Sequence, residues 1–83
     1  MIQQIQEKID VMASFVRGGI RPRAFIWNRR RFDLKSISLT YRGRDGRDTI
    51  LFFNVSDRED NCFKLSFRPS TMEWTLLELY TPF

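Results

Sequence analysis

The sequence contains no histidine and only one cysteine, Cys62, which excludes several kinds of chemistry. Histidine is the commonest general base in enzymes, and a cysteine nucleophile usually needs a neighbouring base to activate it. One cysteine can form no disulfide within the chain, and without histidine it cannot complete a zinc site of the usual Cys/His kind. We therefore expect a protein that is not an enzyme and that needs neither a cofactor nor a metal ion.

Long hydrophobic stretches are also missing from the chain. It has no run of ~18 apolar residues that could span a membrane, and it does not begin with the basic and then apolar segments of an export signal. A single unpaired cysteine is typical of proteins in a reducing compartment. These features predict a cytoplasmic protein without membrane contact.

Aromatic residues, by contrast, are abundant, with 8 Phe, 2 Trp and 2 Tyr among 83 residues. A chain of this length forms one domain, residues 1–83, and buries roughly 60% of the surface of its unfolded state. Each buried aromatic side chain removes about 150–250 Å² from water. A handful of them is enough to build a small core without disulfides or metal.

Positive charge is concentrated in the first half of the chain. Residues 1–47 carry eleven Lys or Arg and four Asp or Glu, whereas residues 48–83 carry three and six, and together they give the net charge of +4. Eleven of the fourteen basic residues are arginines, whose planar guanidinium groups suit bidentate contacts with phosphate or carboxylate. This asymmetry fits a face that binds a polyanion. It fits equally a self-complementary interface, or a solvated sheet face with internal ion pairs.

The segment Arg21–Leu34 predicts a β-hairpin with a dense cluster of positive charge at its tip. Two short apolar runs in it are separated by Asn28 and three consecutive arginines. The dipeptide 28–29 lies where a tight turn would return the second run antiparallel to the first.

The N-terminal segment allows two interpretations. Ile2, Ile5 and Ile9 have the spacing of an amphipathic helix or a short coiled-coil seam. With a period of two instead, alternate residues from Ile9 onward line one face of a strand. We expect residues 1–7 to be mobile or briefly helical and residues 8–16 to form a strand, with the helix as the alternative.

The rest of the chain shows strand patterns at intervals of roughly ten residues. A change of parity near Lys35-Ser36 indicates a bulge or bend, and Asp45-Gly46 is a strong turn signal. Cys62–Arg68 alternates between polar and apolar residues, and Trp74–Tyr80 supplies a last strand. Without a long helical pattern between them, these segments predict an all-β domain. We expect about six short antiparallel strands in a meander that curls towards a small open barrel.

Two parts of the sequence resemble a family of small bacterial domains of unknown function. The family pattern is G-G-x-x-P-x-x-F-x-W-x-G-R-x-Y, followed by W-x-L-x-x-x-Y, and the resemblance covers about residues 9–80. The matching residues are Gly18, Gly19, Pro22, Phe25, Trp27, Arg30 and Phe32 in the first part, and Trp74, Leu76 and Tyr80 in the second. Members occur alone or fused to proteins similar to Y-family DNA polymerases, so the resemblance implies a link to DNA.

The chain departs from that pattern at Arg29, where the family has glycine in the hairpin turn. A residue other than glycine at positive φ costs on the order of 1 kcal/mol. Either the turn is of another type, or the additional positive charge at the tip compensates functionally for that cost.

The arginines supply the best candidate site, for DNA, RNA or another polyanion. On β folds that bind single strands, a cationic groove follows the phosphates while surface aromatic residues stack on bases. Trp27 has alternating apolar neighbours, so we expect it in the core rather than on such a surface. The predicted nucleic-acid-binding residues are Arg21, Arg23, Arg29, Arg30, Arg31, Arg44 and Arg47.

The alternative is an interaction or oligomerisation module with no role in nucleic-acid binding. The edge of a small sheet can pair with a strand of a partner protein, and the stripe Ile2, Ile5, Ile9 would serve as a homodimer contact. The acidic residues of segment 57–60 lack the spacing of a calcium-binding loop, so we expect a solvated turn there.

Overall fold

The computed structural model describes residues 1–81 and consists of six antiparallel strands joined by short turns, which confirms the predicted all-β meander. The strands are β1 (Ile2–Val16), β2 (Gly19–Trp27), β3 (Arg30–Asp45), β4 (Asp48–Asp57), β5 (Cys62–Arg68) and β6 (Glu73–Tyr80). Each strand pairs with the next along the chain, and β6 pairs with β1, so the hydrogen-bonded ring closes. No helix in residues 1–81 has the length and hydropathy needed to cross a membrane.

The N-terminal segment differs from the expectation of a mobile or helical start. β1 already begins at Ile2, which lies opposite Tyr80 of β6. The strand is irregular here, because its register with β6 shifts between Gln4 and Glu7 and Gln6 has a positive φ of 58°. Ile5 and Ile9 pack against the core, whereas Ile2 is exposed, so the three isoleucines do not form one surface stripe.

The ring is closed rather than open because β1 is long enough to pair on both sides. Its first part, Ile2–Ile9, pairs with β6, and its second part, Asp10–Val16, pairs with β2. The sequence predicts most of the first part, residues 2–7, to be mobile or briefly helical. Its strand conformation therefore supplies the pairing that closes the barrel.

The interior is filled mainly by aromatic side chains. Phe25 stacks on Phe32, with 5.1 Å between ring centroids, and meets Phe63 edge-on at 5.0 Å. Phe67 packs against Trp74 at 4.6 Å. The buried core cluster consists of Phe25, Phe32, Phe53, Val55, Phe63, Leu65, Phe67, Trp74 and Leu76. Trp27 is half-buried and packs against this cluster, as expected from its apolar neighbours.

The predicted turn between β2 and β3 is present at Asn28 and Arg29. Both residues have positive φ, 55° and 62°, as a type I′ hairpin turn requires. Trp27 pairs with Arg30 on either side of it. Arg29 therefore adopts a left-handed conformation that glycine adopts more easily. The turn keeps its positive φ although arginine replaces the glycine of the family pattern.

Successive turns of an antiparallel meander lie alternately at its two ends. We call the end that carries turns 28–29 and 58–61 the closed end. The other end, which carries turns 17–18, 46–47 and 69–72, is called the open end.

Strands β2 and β3 are paired only near the closed end. Their register runs from Ala24 opposite Asp33 to Trp27 opposite Arg30. Beyond it, residues 19–23 of β2 pair only with β1, and residues 36–45 of β3 pair only with β4.

Register shifts in the pairings β1–β2 and β3–β4 accompany this divergence. One lies between Met12 and Ala13, opposite Pro22, and two lie in β3, between Leu34 and Ser36 and between Ile37 and Leu39. The bulge expected near residues 35–36 is therefore confirmed. Pro22 lies inside β2 and pairs with Ala13 of β1, on the part of the strand that β3 leaves as an edge.

Candidate polyanion-binding cleft

The divergence of β2 and β3 opens a cleft of about 610 Å³ between the β1–β2 hairpin and β3. Apolar side chains and cationic side chains line different parts of it. The apolar lining includes Ile20, Leu34, Ile37, Leu51 and Phe53, which we call the floor. The cationic lining is Arg17, Arg21, Arg23, Lys35 and Arg42, which we call the rim.

Strand alternation explains how β2 contributes to both parts. Ile20 and Pro22 share one side of the strand, and Ile20 packs against the core. Arg21 and Arg23 lie on the opposite side and are exposed. The hairpin thus presents apolar atoms to the floor and guanidinium groups to the rim.

On β3, Arg42 is opposite Leu51 of β4 in the strand register. Residues paired in this way have their side chains on the same face of the sheet. Leu51 packs against the core, so Arg42 extends from the concave face of the barrel wall into the mouth of the cleft.

The charge of the rim is not balanced locally, because none of the described residues that line the cleft is acidic. Arg17, Arg21 and Arg42 form no ion pair with any residue between 1 and 81. Arg23 donates a hydrogen bond from Nε to Ser14 Oγ at 3.0 Å, which orients its guanidinium group without neutralising it. Lys35 is the exception, with Nζ 3.3 Å from Asp60 Oδ1.

The three arginines of the predicted hairpin tip are in a different environment, at the closed end. Arg30 Nη2 lies 3.4 Å from Glu59 Oε2, and its guanidinium carbon is 5.0 Å from the centre of the Phe32 ring. Arg31 Nε lies 2.9 Å from Asp33 Oδ1. Two of these three arginines are therefore paired with carboxylates before any ligand arrives.

Arg44 and Arg47 lie on the β3–β4 hairpin, at the open end but outside the lining of the cleft. Both are exposed. The two aspartates of the same hairpin are held by Arg68, which donates from Nη2 to Asp45 and from Nη1 to Asp48, each at 2.5 Å. These bonds raise the pKa of the Arg68 guanidinium, and the bond with Asp45 has the larger effect. Because Asp45 and Asp48 are paired with Arg68, they form no ion pair with Arg44 or Arg47.

The structure therefore divides the predicted site residues. Arg21 and Arg23 line the cleft, Arg44 and Arg47 lie near it at the same end, and Arg29, Arg30 and Arg31 lie at the opposite end. The predicted set omits three rim residues, Arg17, Lys35 and Arg42. Arg42 could have been predicted, because it lies two residues from Arg44 and so shares its face of the strand. Arg17 and Lys35 are revealed only by the divergence of β2 and β3.

A second polar cluster covers the outer wall of the barrel, where Tyr41 stacks on Phe52 with 4.9 Å between ring centroids. Lys64 Nζ lies 5.7 Å from the Tyr41 ring centre, and its interaction with the Tyr41 side chain is the main cause that raises the pKa of Lys64. Tyr80 donates to Glu78, which lowers the pKa of the Glu78 carboxyl and raises that of the Tyr80 hydroxyl. These groups engage one another, so the cluster is an internally paired outer surface.

The acidic turn at 57–61 is organised by the buried Asp57 carboxylate. Its Oδ1 accepts hydrogen bonds from the backbone N–H groups of Glu59 and Asn61, each at 2.9 Å, and its Oδ2 accepts one from Asn61 Nδ2 at 3.1 Å. Asp57 therefore shapes the turn that places Glu59 and Asp60 beside Arg30 and Lys35. In the described part of the chain, no group of three His, Cys, Asp or Glu side chains is arranged to hold a metal ion.

Comparisons of the chain with protein-family models, curated proteins and solved structures find no match in any of the three. The class that the fold defines is a small all-β domain whose ring of strands diverges at one end. Within it, the cleft combines unpaired cations with accessible apolar side chains.

Proposed function

We propose that this chain is a non-enzymatic module that binds nucleic acid, or a similar polyanion, through the cleft. The observation that carries the proposal is the set of five cationic rim residues with no acidic residue among the described lining. Like charges that line a concave site add their potentials and concentrate a polyanion there. Four of the five are arginines, which match the geometry of phosphate oxygens.

Individual residues have different parts in this proposal. Arg17, Arg21 and Arg42 contact phosphates directly because no carboxylate in residues 1–81 competes for them. Arg44 and Arg47 extend the track of positive charge beyond the cleft. The tip cluster of Arg29, Arg30 and Arg31 contributes less as a whole, because a phosphate would have to displace Glu59 from Arg30 and Asp33 from Arg31. Arg29 alone of the three has no carboxylate partner among residues 1–81.

The resemblance to bacterial domains that occur with Y-family polymerase-like proteins supports DNA as the polyanion. It also makes a bacterial cytoplasmic protein part of the proposal, together with the single cysteine, Cys62, which is free and exposed.

The alternative, a protein-interaction module, is favoured by one feature of the cleft. Residues 19–23 and 36–45 present strand edges to which a partner strand could add. However, Pro22 and the register shifts in the β1–β2 and β3–β4 pairings are devices by which proteins prevent such pairing. The isoleucine stripe is also divided between core and surface. Nucleic-acid binding is therefore the first proposal and partner-strand addition the second.

The test compares two triple variants that remove the same number of charges. One changes Arg17, Arg21 and Arg42 to Ser, and the other changes Arg29, Arg30 and Arg31 to Ser. Binding of labelled single- and double-stranded DNA and RNA is measured by fluorescence anisotropy at several salt concentrations. We expect the cleft variant to lose at least about tenfold in affinity and to lower the salt slope by about 2–3. The tip variant should lose less than about threefold, because two of its three arginines, Arg30 and Arg31, are already paired.

Three outcomes would contradict this proposal. Equal losses of affinity in both variants would show that net charge alone drives binding. A larger loss in the tip variant would show that the tip of the β2–β3 hairpin is the binding site. No binding at low salt would refute a nucleic-acid role, and a mass that rises with protein concentration at constant salt would then support the interaction module. The six arginines are exposed, so thermal melts should show both variants folded.

A further inference from the structure

We infer that the cleft holds an unpaired base of a single strand on its apolar floor, with the flanking phosphates on the rim. This inference rests on the proposed function and names the form of nucleic acid that the site selects.

The floor is the feature that phosphate binding alone does not explain. Ile20, Leu34, Ile37 and Leu51 pack against the core but are only partly buried, so they leave apolar surface at the bottom of a cationic cleft. A phosphodiester backbone has no apolar face to cover this surface. A nucleobase has one, because its ring is flat and apolar above and below the plane.

The size of the cleft is consistent with such an occupant. Its volume of about 610 Å³ lies within the ~300–1,000 Å³ of sites that enclose small organic molecules. Rim residues stand on two sides of the floor, with Arg21 and Arg23 on the β2 side and Arg42 on the β3 side. A base that enters between them brings the phosphates on its two sides towards opposite rims.

A duplex cannot use the floor in this way. Its bases are stacked and paired inside the helix, and only the sugar–phosphate surface would reach the rim. To place a base on the floor, the duplex would have to unstack and unpair one nucleotide, whereas a single strand already offers unpaired bases. The cleft should therefore prefer single strands, with little dependence on sequence, because every base has an apolar face.

An acidic peptide is the competing occupant, since it also carries negative charge in an extended chain. It would gain most of its affinity by pairing with the edges of β2 and β3. Pro22 has no N–H to offer, and the register shifts in both walls interrupt a regular ladder. The observed walls thus suit recognition by side chains better than recognition by backbone.

The experiment compares ligands that share the phosphate backbone but differ in their bases. A labelled DNA single strand of about ten nucleotides, within the range of small β domains, is tested against the same backbone with abasic residues. Duplex DNA, inorganic polyphosphate and poly-glutamate of similar charge complete the set. We expect the normal single strand to bind the wild-type protein about tenfold or more tightly than the abasic strand or polyphosphate.

A floor variant tests the same inference from the protein side. Ile20→Ser makes part of the floor polar and should reduce the preference for bases over the abasic backbone without changing polyphosphate affinity. Ile26→Ser is the matched control, because Ile26 lies on the same strand, is 38% exposed and is not in the lining of the cleft. It should leave the preference unchanged.

The outcomes separate this inference from the proposed function. Equal affinity for normal and abasic strands would overturn base insertion while leaving polyanion binding intact. Poly-glutamate that binds as tightly as the single strand would overturn it in favour of an acidic peptide. If no polyanion binds at low salt, the proposed function itself is wrong. Should Ile20→Ser fail to fold, the normal and abasic strands on the wild-type protein decide the matter.

Discussion

The two ends of the barrel are built from the same strands and differ in almost every other respect. At the closed end, β2 and β3 are hydrogen-bonded from Ala24 to Trp27, and Phe25, Phe32 and Phe63 pack beneath them. At the open end, the two strands separate, and the space between them is lined by the rim and the floor. One end is closed by strand pairing and aromatic packing, and register shifts accompany the separation of the strands at the other.

The arginines at the two ends show why this difference matters. Arg30 and Arg31 have carboxylate partners at the closed end, because the acidic turn 58–61 and Asp33 lie beside them. Arg21 and Arg42 at the open end have no such partner in residues 1–81. Two clusters that look alike in sequence therefore differ in how much charge they offer to a ligand.

The largest expected effect is on stability, and it compares an aromatic residue packed at the closed end with an exposed one at the open end. Phe25 is 0% exposed in the aromatic cluster of the closed end, whereas Phe15, on the β1–β2 hairpin of the open end, is 66% exposed. Phe25→Ala should lower the free energy of unfolding by about 3–5 kcal/mol, and Phe15→Ala should change it by less than about 0.5 kcal/mol. Urea denaturation measures both values. Similar losses would mean that the closed end does not hold the barrel together.

The next effect concerns the β3 wall that borders the open end. A Cβ atom added at Gly43 would lie 2.6 Å from Cε2 of Phe52, whereas one added at Gly19 would meet nothing within 4 Å. Gly43→Val should therefore displace the Phe52 ring and cost about 1–3 kcal/mol, while Gly19→Val should cost much less. Thermal unfolding gives the stabilities, and tyrosine NMR signals report whether Tyr41 loses its stacked partner. Equal melting temperatures for the two variants would contradict the close approach.

Much of this architecture follows from local sequence patterns. The alternation in Cys62–Arg68 places Phe63, Leu65 and Phe67 inside, and the structure finds all three buried. The turn 28–29 and the bulge near residues 35–36 are likewise local features, because each depends on residues close together in the chain. Alternation and turn chemistry predict them reliably for that reason.

The closure of the ring and the composition of the site depend on contacts between distant residues. Ile2 pairs with Tyr80 across nearly the whole chain, and the isoleucine spacing of β1 suggests a helix instead. The Arg30–Glu59 pair likewise joins residues 29 positions apart. The sequence therefore reveals the arginines but not which of them have carboxylate partners. The rim residues come together only because β2 diverges from β3. The bulge near residues 35–36 is the local sequence feature that indicates this divergence.

A smaller effect is expected at the tip of the closed end, where Arg29 has a φ of 62°. Arg29→Gly should relieve the strain of that conformation and raise the free energy of unfolding by up to about 1 kcal/mol. If the cleft rather than the tip binds phosphate, the same change should alter nucleic-acid affinity by less than about twofold. Urea denaturation and anisotropy titrations measure the two quantities. Asn28→Gly is the control, because asparagine tolerates positive φ better than arginine and should gain less.

A marked loss of affinity in Arg29→Gly, together with the gain in stability, would have the opposite meaning. It would show that the chain accepts backbone strain at the tip in order to keep a positive charge there. Arg29 would then return to the binding site, as its departure from the family pattern first suggested.

The smallest expected effect tests whether the carboxylates at the closed end keep Arg30 and Arg31 from binding DNA. Glu59→Gln together with Asp33→Asn removes the partners of Arg30 and Arg31, and it should change stability by less than about 1 kcal/mol because both pairs are exposed. With the two arginines unpaired, affinity for DNA at low salt should rise a few-fold. The control is Glu7→Gln with Asp10→Asn, which removes the same charge from two exposed residues without ion pairs in the described chain. A gain confined to the first double variant would show that the two ends differ in pairing rather than in arginine content. Equal gains would show that net charge alone governs binding.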